Sequence, residues 1–495
     1  MVSLTAAKSQ AGHIDTGFGE NGYVKVNFDV FGGRFNCLLP QTDGKIVAIG
    51  INPQMDVEAK RFLSNGQYDT QFGTNGTVIF QDMQPIGSTG ALLADGKILV
   101  VYAGISTVDG TTKLVRVVRL LPNGAYDTSF GVNGLATIED VAIEHFSDRV
   151  HLTAGGDIVL VGTDEYPSME VQVLKLKPNG TLDANFGENG VLTLPASHTV
   201  SIVRSVSQSL NRIAIAASSF NESAWFTVYQ IYDNGVADPA FGTDGKKEYY
   251  FSNFATVGGI VALPGGKLAV SSSPGQIGGY EFYLTKINAN GDLDTDFWST
   301  GTAVVEMDAE SLATGLAVQA DGKFLIGGMT GLLDGEDYAI ARVFSDGTLD
   351  NSFGTNGIAK TLDNVANHCA TTMTLQPNGK LLIGGFTTAG QASIARYLTQ
   401  AANSAGETNL AVTAVSIFPN PVVADATIQF SLAEGKMTNL ELLDASGRVV
   451  FQKKAHRQQG WNVETLPMND LGAGFYFVKI ESGGTSVTRQ VEKIR

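Results

Sequence analysis

Cysteine is nearly missing from this chain: Cys37 and Cys369 are the only two in 495 residues. That is too few for a disulfide framework or a cysteine-built metal centre. Basic residues are also scarce, 33 Lys and Arg against 49 Asp and Glu, giving a formal charge of −16. Such a balance repels phosphate backbones and argues against nucleic acid as a partner. No run of about 18 apolar residues exists, so no transmembrane segment is expected. The six histidines (His13, His145, His151, His198, His368 and His456) are scattered without metal-ligand spacing, and no G-x-S-x-G motif occurs. We therefore expect no metal, no cofactor and no catalytic residue.

What is abundant is glycine, with 58 copies. That is about 12% of the chain against roughly 7% on average, without the period of three that marks collagen. Many tight turns between short strands are implied. The glycines fall in a recurring box of aspartate, then Phe-Gly, then glycine, as in QYDTQFGTNG ending at Gly76 and TLDNSFGTNG ending at Gly357. Its phenylalanines are Phe18, Phe72, Phe130, Phe186, Phe241, Phe297 and Phe353, spaced 54, 58, 56, 55, 56 and 56 residues apart. The sixth copy, DLDTDFWSTG, has Trp298 where the others have glycine.

A second landmark keeps the same phase. Asp43-Gly44-Lys45 precedes the apolar stretch IVAIG, and related turns recur at Gly96, Gly156, Asn211, Gly266, Gly322 and Gly379. Asp-Gly and Asn-Gly supply the positive φ that hairpin turns need. Each unit then holds four strand candidates: one after the box (YVKVNF), one before the turn (NCLLPQ), one after it (IVAIG) and one before the next box (AKRFL). Four antiparallel strands repeated seven times is the pattern of an all-β, seven-bladed β-propeller over residues 12–398. The strand before each turn is rich in small residues, which suits the innermost position. The strand after each box then belongs to the preceding blade, and Tyr23–Phe28 is expected to close the ring against Ile394–Leu398.

The unit D-x-x-F-G-x-x-G, then D-G-K, then R-x-x-x-N/D-G resembles the delta-60 repeat of bacterial proteins thought to form propellers. That likeness implies a fold and no particular activity. Residues 399–413 are polar and read as a linker. Beyond it, residues 414–495 show period-two strands such as ATIQFSL and GFYFVKIES, as expected of a small immunoglobulin-like β-sandwich. Phe418-Pro419-Asn420-Pro421, Asp444–Val450, Leu471–Tyr476 and Lys493 resemble the C-terminal sorting domain of the Bacteroidetes type IX secretion system. The likeness implies passage through the periplasm, recognition by the type IX secretion machinery, and a secreted or cell-surface protein. An ordinary adhesion-type sandwich is the alternative. At the other end, residues 1–11 contain Ser9-Gln10-Ala11, similar to the end of a secretory signal peptide, although the charged and apolar regions before it are missing.

Several residue sets invite a functional reading. The box acids Asp15, Asp69, Asp127, Asp183, Asp238, Asp294 and Asp350 look like a ligand ring, but a turn aspartate more often accepts local N–H groups or pairs with a cation. Cations stand at one strand position of each unit: Arg61, Arg119, Lys175, Lys286, Arg342 and Arg396, with Gln230 breaking the series. We expect structural contacts between these sets that pin adjoining blades, with Arg396 meeting Asp15 at the closure. Asn288, Asn290, Asp292, Asp294 and Asp296 mimic a calcium loop but lack the glycine and terminal glutamate of an EF-hand. Arg149 and Arg204 share one position on the innermost strands and are the candidate ligand-binding residues, suited to an anion or carboxylate. Solvated or salt-bridged arginines are the plainer reading. Cys37 and Cys369 fall in neighbouring units of a closed ring but about three residues out of register, which disfavours a bridge. The favoured function is a non-enzymatic exported propeller binding a glycan, peptide or surface partner. A polysaccharide lyase or glycoside hydrolase, or a passive surface protein, are the alternatives.

Overall fold

The structure is a computed structural model. It describes residues 11–494 apart from 27–31, 109, 140, 142, 144, 165–169, 196–199, 201, 209–210, 219–224, 251–254, 275–280, 308, 332–336, 362–366, 401–411, 419–421, 433–434, 445–447, 459 and 483–484. The signal-like residues 1–10, most of the linker and Pro419-Asn420-Pro421 lie outside the described residues. Two compact units divide at 401/402.

In the first unit the turn chemistry makes the sheets. The first sheet runs Arg34–Pro40, Ile46–Ile51, Val57–Phe62 and Thr77–Phe80, in that spatial order and antiparallel throughout. Gly44 sits at φ 87°, its N–H bonded to Gln41 O at 3.0 Å, while Asp43 Oδ1 accepts the Lys45 N–H at 3.1 Å. Six more four-stranded sheets repeat the order, spanning Met83–Glu139, His145–Leu194, Ile202–Tyr250, Ala255–Glu306, Ser311–Lys360, and His368–Tyr397 joined by Tyr23–Val26. The two middle strands of the first sheet are buried at every residue. A strand is covered on both faces only when sheets stack on either side of it. Burying each Val or Ile there stabilises the fold by roughly 1.5–3 kcal/mol.

The innermost strands touch one another in succession, and Arg34–Pro40 touches His368–Leu375, so the sequence of sheets returns to its start. Small residues permit this approach. A Cβ on Gly258 would lie 2.7 Å from the Ala313 carbonyl carbon, and one on Gly259 would lie 2.5 Å from Leu316 N in the next sheet. The ring closes where Tyr23–Val26 pairs with Ala392–Tyr397, Tyr23 opposite Ala395 and Val26 opposite Ala392. Phe18, Val24 and Val26 share a core there with Leu38, Phe62, Leu382 and Ile394. Cys37 and Cys369 are buried in the thiol form, not bridged.

The second unit is a two-sheet β-sandwich. One sheet is ordered Val412–Phe418, Ala426–Leu432, Gly460–Leu466; the other is Val449–Arg457, Lys436–Asp444, Gly474–Ser482, Thr485–Lys493. Ile428 and Phe430 of the first meet Leu440, Leu442, Val478 and Ile480 of the second in one apolar core. Alternate residues point inward, as the period-two pattern requires. The polar stretch after the propeller is shorter than its composition implies. Thr399 is 2% exposed, donates to Gly379 O and accepts from Arg342 Nη1, and the first sandwich strand begins at Val412.

Candidate functional site

The box acids are consumed by the architecture. Asp69 is 4% exposed and accepts Arg61 Nε at 2.8 Å; Lys45 Nζ stands 3.1 Å from the same oxygen. Asp127 meets Arg119 and Lys97, Asp350 meets Arg342 and Lys323, Asp294 meets Lys267 and Lys286, and Asp15 meets Arg396 and Lys380, all within 3.4 Å. The turn lysine is thus a second cation that the strand series alone does not reveal. In the fourth unit two departures from the repeat offset each other. Gln230 Nε2 donates to Asp238 Oδ2 at 2.7 Å, and Arg212, standing where others have the turn lysine, reaches it at 3.1 Å.

Asp183 is the exception, and it corrects the expected contact with Lys175. Asp157 occupies the turn-lysine position, and Lys175 Nζ turns to it at 3.0 Å, because an acid has replaced the second cation. Asp183 is half-buried rather than buried.

The expected pinning of adjoining blades also takes a different route. Apart from Asp15 at the closure, each acid and its cations lie within one repeat. The guanidinium carries the tie onward: Arg61 Nη1 donates to Pro122 O, Arg119 Nη1 to Pro178 O at 2.9 Å, and Arg396 Nη1 to Ser64 O at 2.5 Å. Beneath, the same guanidiniums stack on the box rings, Arg61 4.6 Å from the Phe72 centroid and Arg396 4.3 Å from Phe18. The box glycine donates to the next repeat as well, Gly73 N to Asn123 O at 2.9 Å. A Cβ on Gly124 would lie 2.7 Å from Gly73 N, so the Asn-Gly turn is a docking surface for the preceding box.

These contacts set the charge states. Burial pushes the carboxyls of Asp15, Asp69, Asp238, Asp294 and Asp350 up, but their cation, amide and hydroxyl donors outweigh it and hold all five below the usual range. The Ser129 hydroxyl is the foremost donor holding Asp127 well below that range. In the calcium-like loop, Asp292 pairs with Lys247 at 3.0 Å and Asp294 is already clasped, so two of its three carboxylates serve ion pairs.

Arg204 and Arg149 part company. Arg204 lines a narrow recess of about 180 Å³ walled by the innermost strands, with Arg34, Asn36, Ser88, Ser147 and Thr371. Its Nε donates to Gly258 O at 2.8 Å and its Nη1 to Val203 O at 3.1 Å. Arg149 is exposed and outside that lining. The reason is a bulge: Phe146 faces Gly162 and Val150 faces Leu160, so three residues oppose only Val161 and counting back from the turn fails. Arg34 takes the second place instead, its Nε donating to Asn36 Oδ1 at 3.2 Å, with Asn36 Nδ2 donating to Ser88 Oγ at 3.0 Å.

Sequence reasoning also missed a buried cluster between the third and fourth inner strands. His151 Nδ1 and Nε2 each lie 2.7 Å from a serine hydroxyl, Ser207 and Ser205. Ser205 is fully buried, out of reach of a substrate, so the cluster ties two strands together. A hollow of about 1580 Å³ is an open groove over the boxes around Gly19 and Gly354 at the closing seam.

Two family models match the chain and agree with this architecture. Residues 416–493 match the family described as Secretion system C-terminal sorting domain. Residues 93–130 and 319–353 match a domain of unknown function described as a beta-propeller, DUF5122. No curated protein matches the sequence. Among solved structures, BBS1N in complex with ARL6DN is 11% identical, covering 80% of this chain and 99% of that one at a TM-score of 0.45. A protein of unknown function from Dyadobacter fermentans is 11% identical over 68% of this chain and 98% of its own, TM-score 0.36. A PL25 ulvan lyase is 11% identical over 95% and 96%, TM-score 0.31. No described helix is long and apolar enough to cross a membrane. The chain is a β-propeller carrying a type IX sorting domain at its C-terminus, which marks it for export to the cell surface or beyond.

Proposed function

We propose that this is a non-enzymatic binding propeller whose axial recess takes an anionic group, a carboxylate or sulfate borne by an extracellular glycan or peptide. What carries the reading is the recess lining: two guanidiniums, Arg34 and Arg204, with amide and hydroxyl groups and, among the described residues, no carboxylate, in a chain of formal charge −16. Charge of that sign placed there against the net charge favours an anion, and guanidinium hydrogen bonds to carboxylates are among the stronger ones. Glycoside hydrolysis would need paired carboxylates roughly 5–9.5 Å apart, and the recess lining holds none among the described residues.

The experiment is binding and turnover on a panel of acidic and neutral polysaccharides and peptides. An acidic ligand is expected to bind without turnover, and Arg204→Ala with Arg34→Ala to weaken it at least ten-fold, as loss of charged hydrogen bonds worth about 1.5–3 kcal/mol each implies. Turnover of any member, or affinity unmoved by both substitutions, defeats the reading.

A further inference from the structure

Six of the seven boxes close in one way. The box glycine adopts φ of 53–55°, and a Cβ there would lie 1.9–2.3 Å from the carbonyl oxygen four residues on, as at Gly73 against Thr77 O. An antiparallel bridge then seals the turn, Glu20 to Tyr23 in the first box and Thr355 to Ile358 in the last. The sixth box cannot do this, because Trp298 stands at the glycine position at φ 48°, followed by Ser299 at φ 45°. A bulky side chain in the left-handed region is strained, and such strain persists where something else determines it.

The sixth box stays open. Residues Trp298–Gly301 form a short helical turn, and no sealing bridge is found there among the described residues. Thr300 Oγ1 bonds the Thr302 carbonyl instead, at 3.1 Å. Trp298 remains 43% exposed, so burial within the protein does not account for it.

The opened box borders a hollow of about 650 Å³ between the outer strands of the fourth and fifth sheets. That volume falls within the roughly 300–1,000 Å³ of small-molecule sites. Thr300 and Thr302 line it beside Tyr250 and Tyr283. Tyr250 is 69% exposed at the end of Lys246–Tyr250, while Tyr249 on the other face of that strand is buried with its hydroxyl donating to Gly291 O at 2.7 Å. Tyr283 faces Val304 across the fifth sheet, and Val304 is 46% exposed. At the rim Lys247 pairs with Asp292 at 3.0 Å, and Glu248, also in the lining, pairs with Lys246 at 2.9 Å, so the charges at this edge balance.

We infer that this hollow is a second binding site, for a neutral saccharide ring. Such a ring has apolar C–H faces and hydroxyl edges. The tyrosine rings offer flat amphipathic surface for the faces. The Lys247–Asp292 pair offers donors and acceptors for the edges, and the oxygens of Thr300 and Thr302, already hydrogen-bonded to Thr302 O and to Thr285, keep lone pairs that can accept. A site built this way has no preference for charged ligands, unlike the arginine recess on the inner strands.

The test uses the full chain and an array of neutral and acidic oligosaccharides, with titration calorimetry on the neutral compounds that bind. At least one neutral oligosaccharide is expected to bind, with Tyr250→Ala reducing its affinity ten-fold or more and Arg204→Ala leaving it unchanged. Because Tyr250 is exposed, its removal leaves folding intact, which circular dichroism verifies. Trp298→Gly is expected to reseal the box, raising the melting temperature while weakening the same saccharide. Absence of neutral binders, or affinity indifferent to Tyr250→Ala, overturns the inference without touching the anion site. Loss of acidic binding alone leaves this site standing.

Discussion

Arg396 Nε donates to Asp15 Oδ2 at 2.8 Å across a sequence separation of 381 residues, and Lys380 reaches the same oxygen at 2.8 Å. The pair repeats the contact that five of the other six units make within eight residues, as Arg61 does with Asp69. At the closure it joins the two ends of the propeller.

Asp15→Ala is expected to destabilise the propeller by about 3–5 kcal/mol, since it leaves a buried guanidinium without its acid. Arg396→Ala should cost a similar amount through loss of Asp15, Ser64 and the Phe18 face. Urea unfolding of both single variants and the double variant measures the coupling. Additive losses would show that the two residues do not act as a pair.

Acid should dismantle the clasps together. Six box acids have folded pKa values below the ordinary range. A depressed folded pKa contributes stability that is fully present above the unfolded value, about 3.9, and is lost as pH falls through the folded values. Stability is therefore expected to hold steady from neutral pH to about pH 5 and to drop below pH 4. Glu58 runs the other way: burial raises it despite Lys60, so protonation relieves one group as the pH falls. Melting temperature against pH tests the sign, and a maximum near pH 3 would contradict it.

The third unit offers a charge swap. Asp157→Lys supplies Asp183 with the second cation that the other units have, and is expected to leave stability unchanged or raise it by up to about 1 kcal/mol. Lys45→Asp places a carboxylate where an ammonium now stands 3.1 Å from Asp69, and should lose about 1–3 kcal/mol. Equal effects from the two substitutions would mean that the turn residue does not matter to the clasp.

A chain ending at Ala401 keeps the whole first compact unit and lacks the sorting domain. It is expected to fold, with a β-rich circular dichroism spectrum, and to remain in the periplasm instead of reaching the surface or medium. Cell fractionation gives the answer, and surface display of the truncated chain would refute the address.

Much of this was legible because backbone chemistry repeats. Asp-Gly turns and the Phe-Gly box are demanded by φ, so they mark strand ends directly, and small residues such as Gly258 and Gly259 mark the crowded inner strand. The hidden parts depend on groups meeting through space. Lys45 reads as a solvated turn lysine until Asp69 is brought to it. Gln230 and Arg212 look like two separate irregularities, although they repair one clasp. A bulge between Phe146 and Val150 leaves no trace in spacing, so Arg149 was matched to Arg204 while Arg34 went unnoticed. Trp298 was visible as a departure, but only its φ and the unsealed turn show what the departure does.

The strand that completes the seventh sheet comes from the opposite end of the chain, and the export address follows immediately after the partner it needs. During synthesis Tyr23–Val26 waits without a mate until Ala392–Tyr397 has been made. A prematurely terminated chain therefore carries an unsealed circle and no shipping label. Completeness of the ring and eligibility for export are read from the same last quarter of the protein.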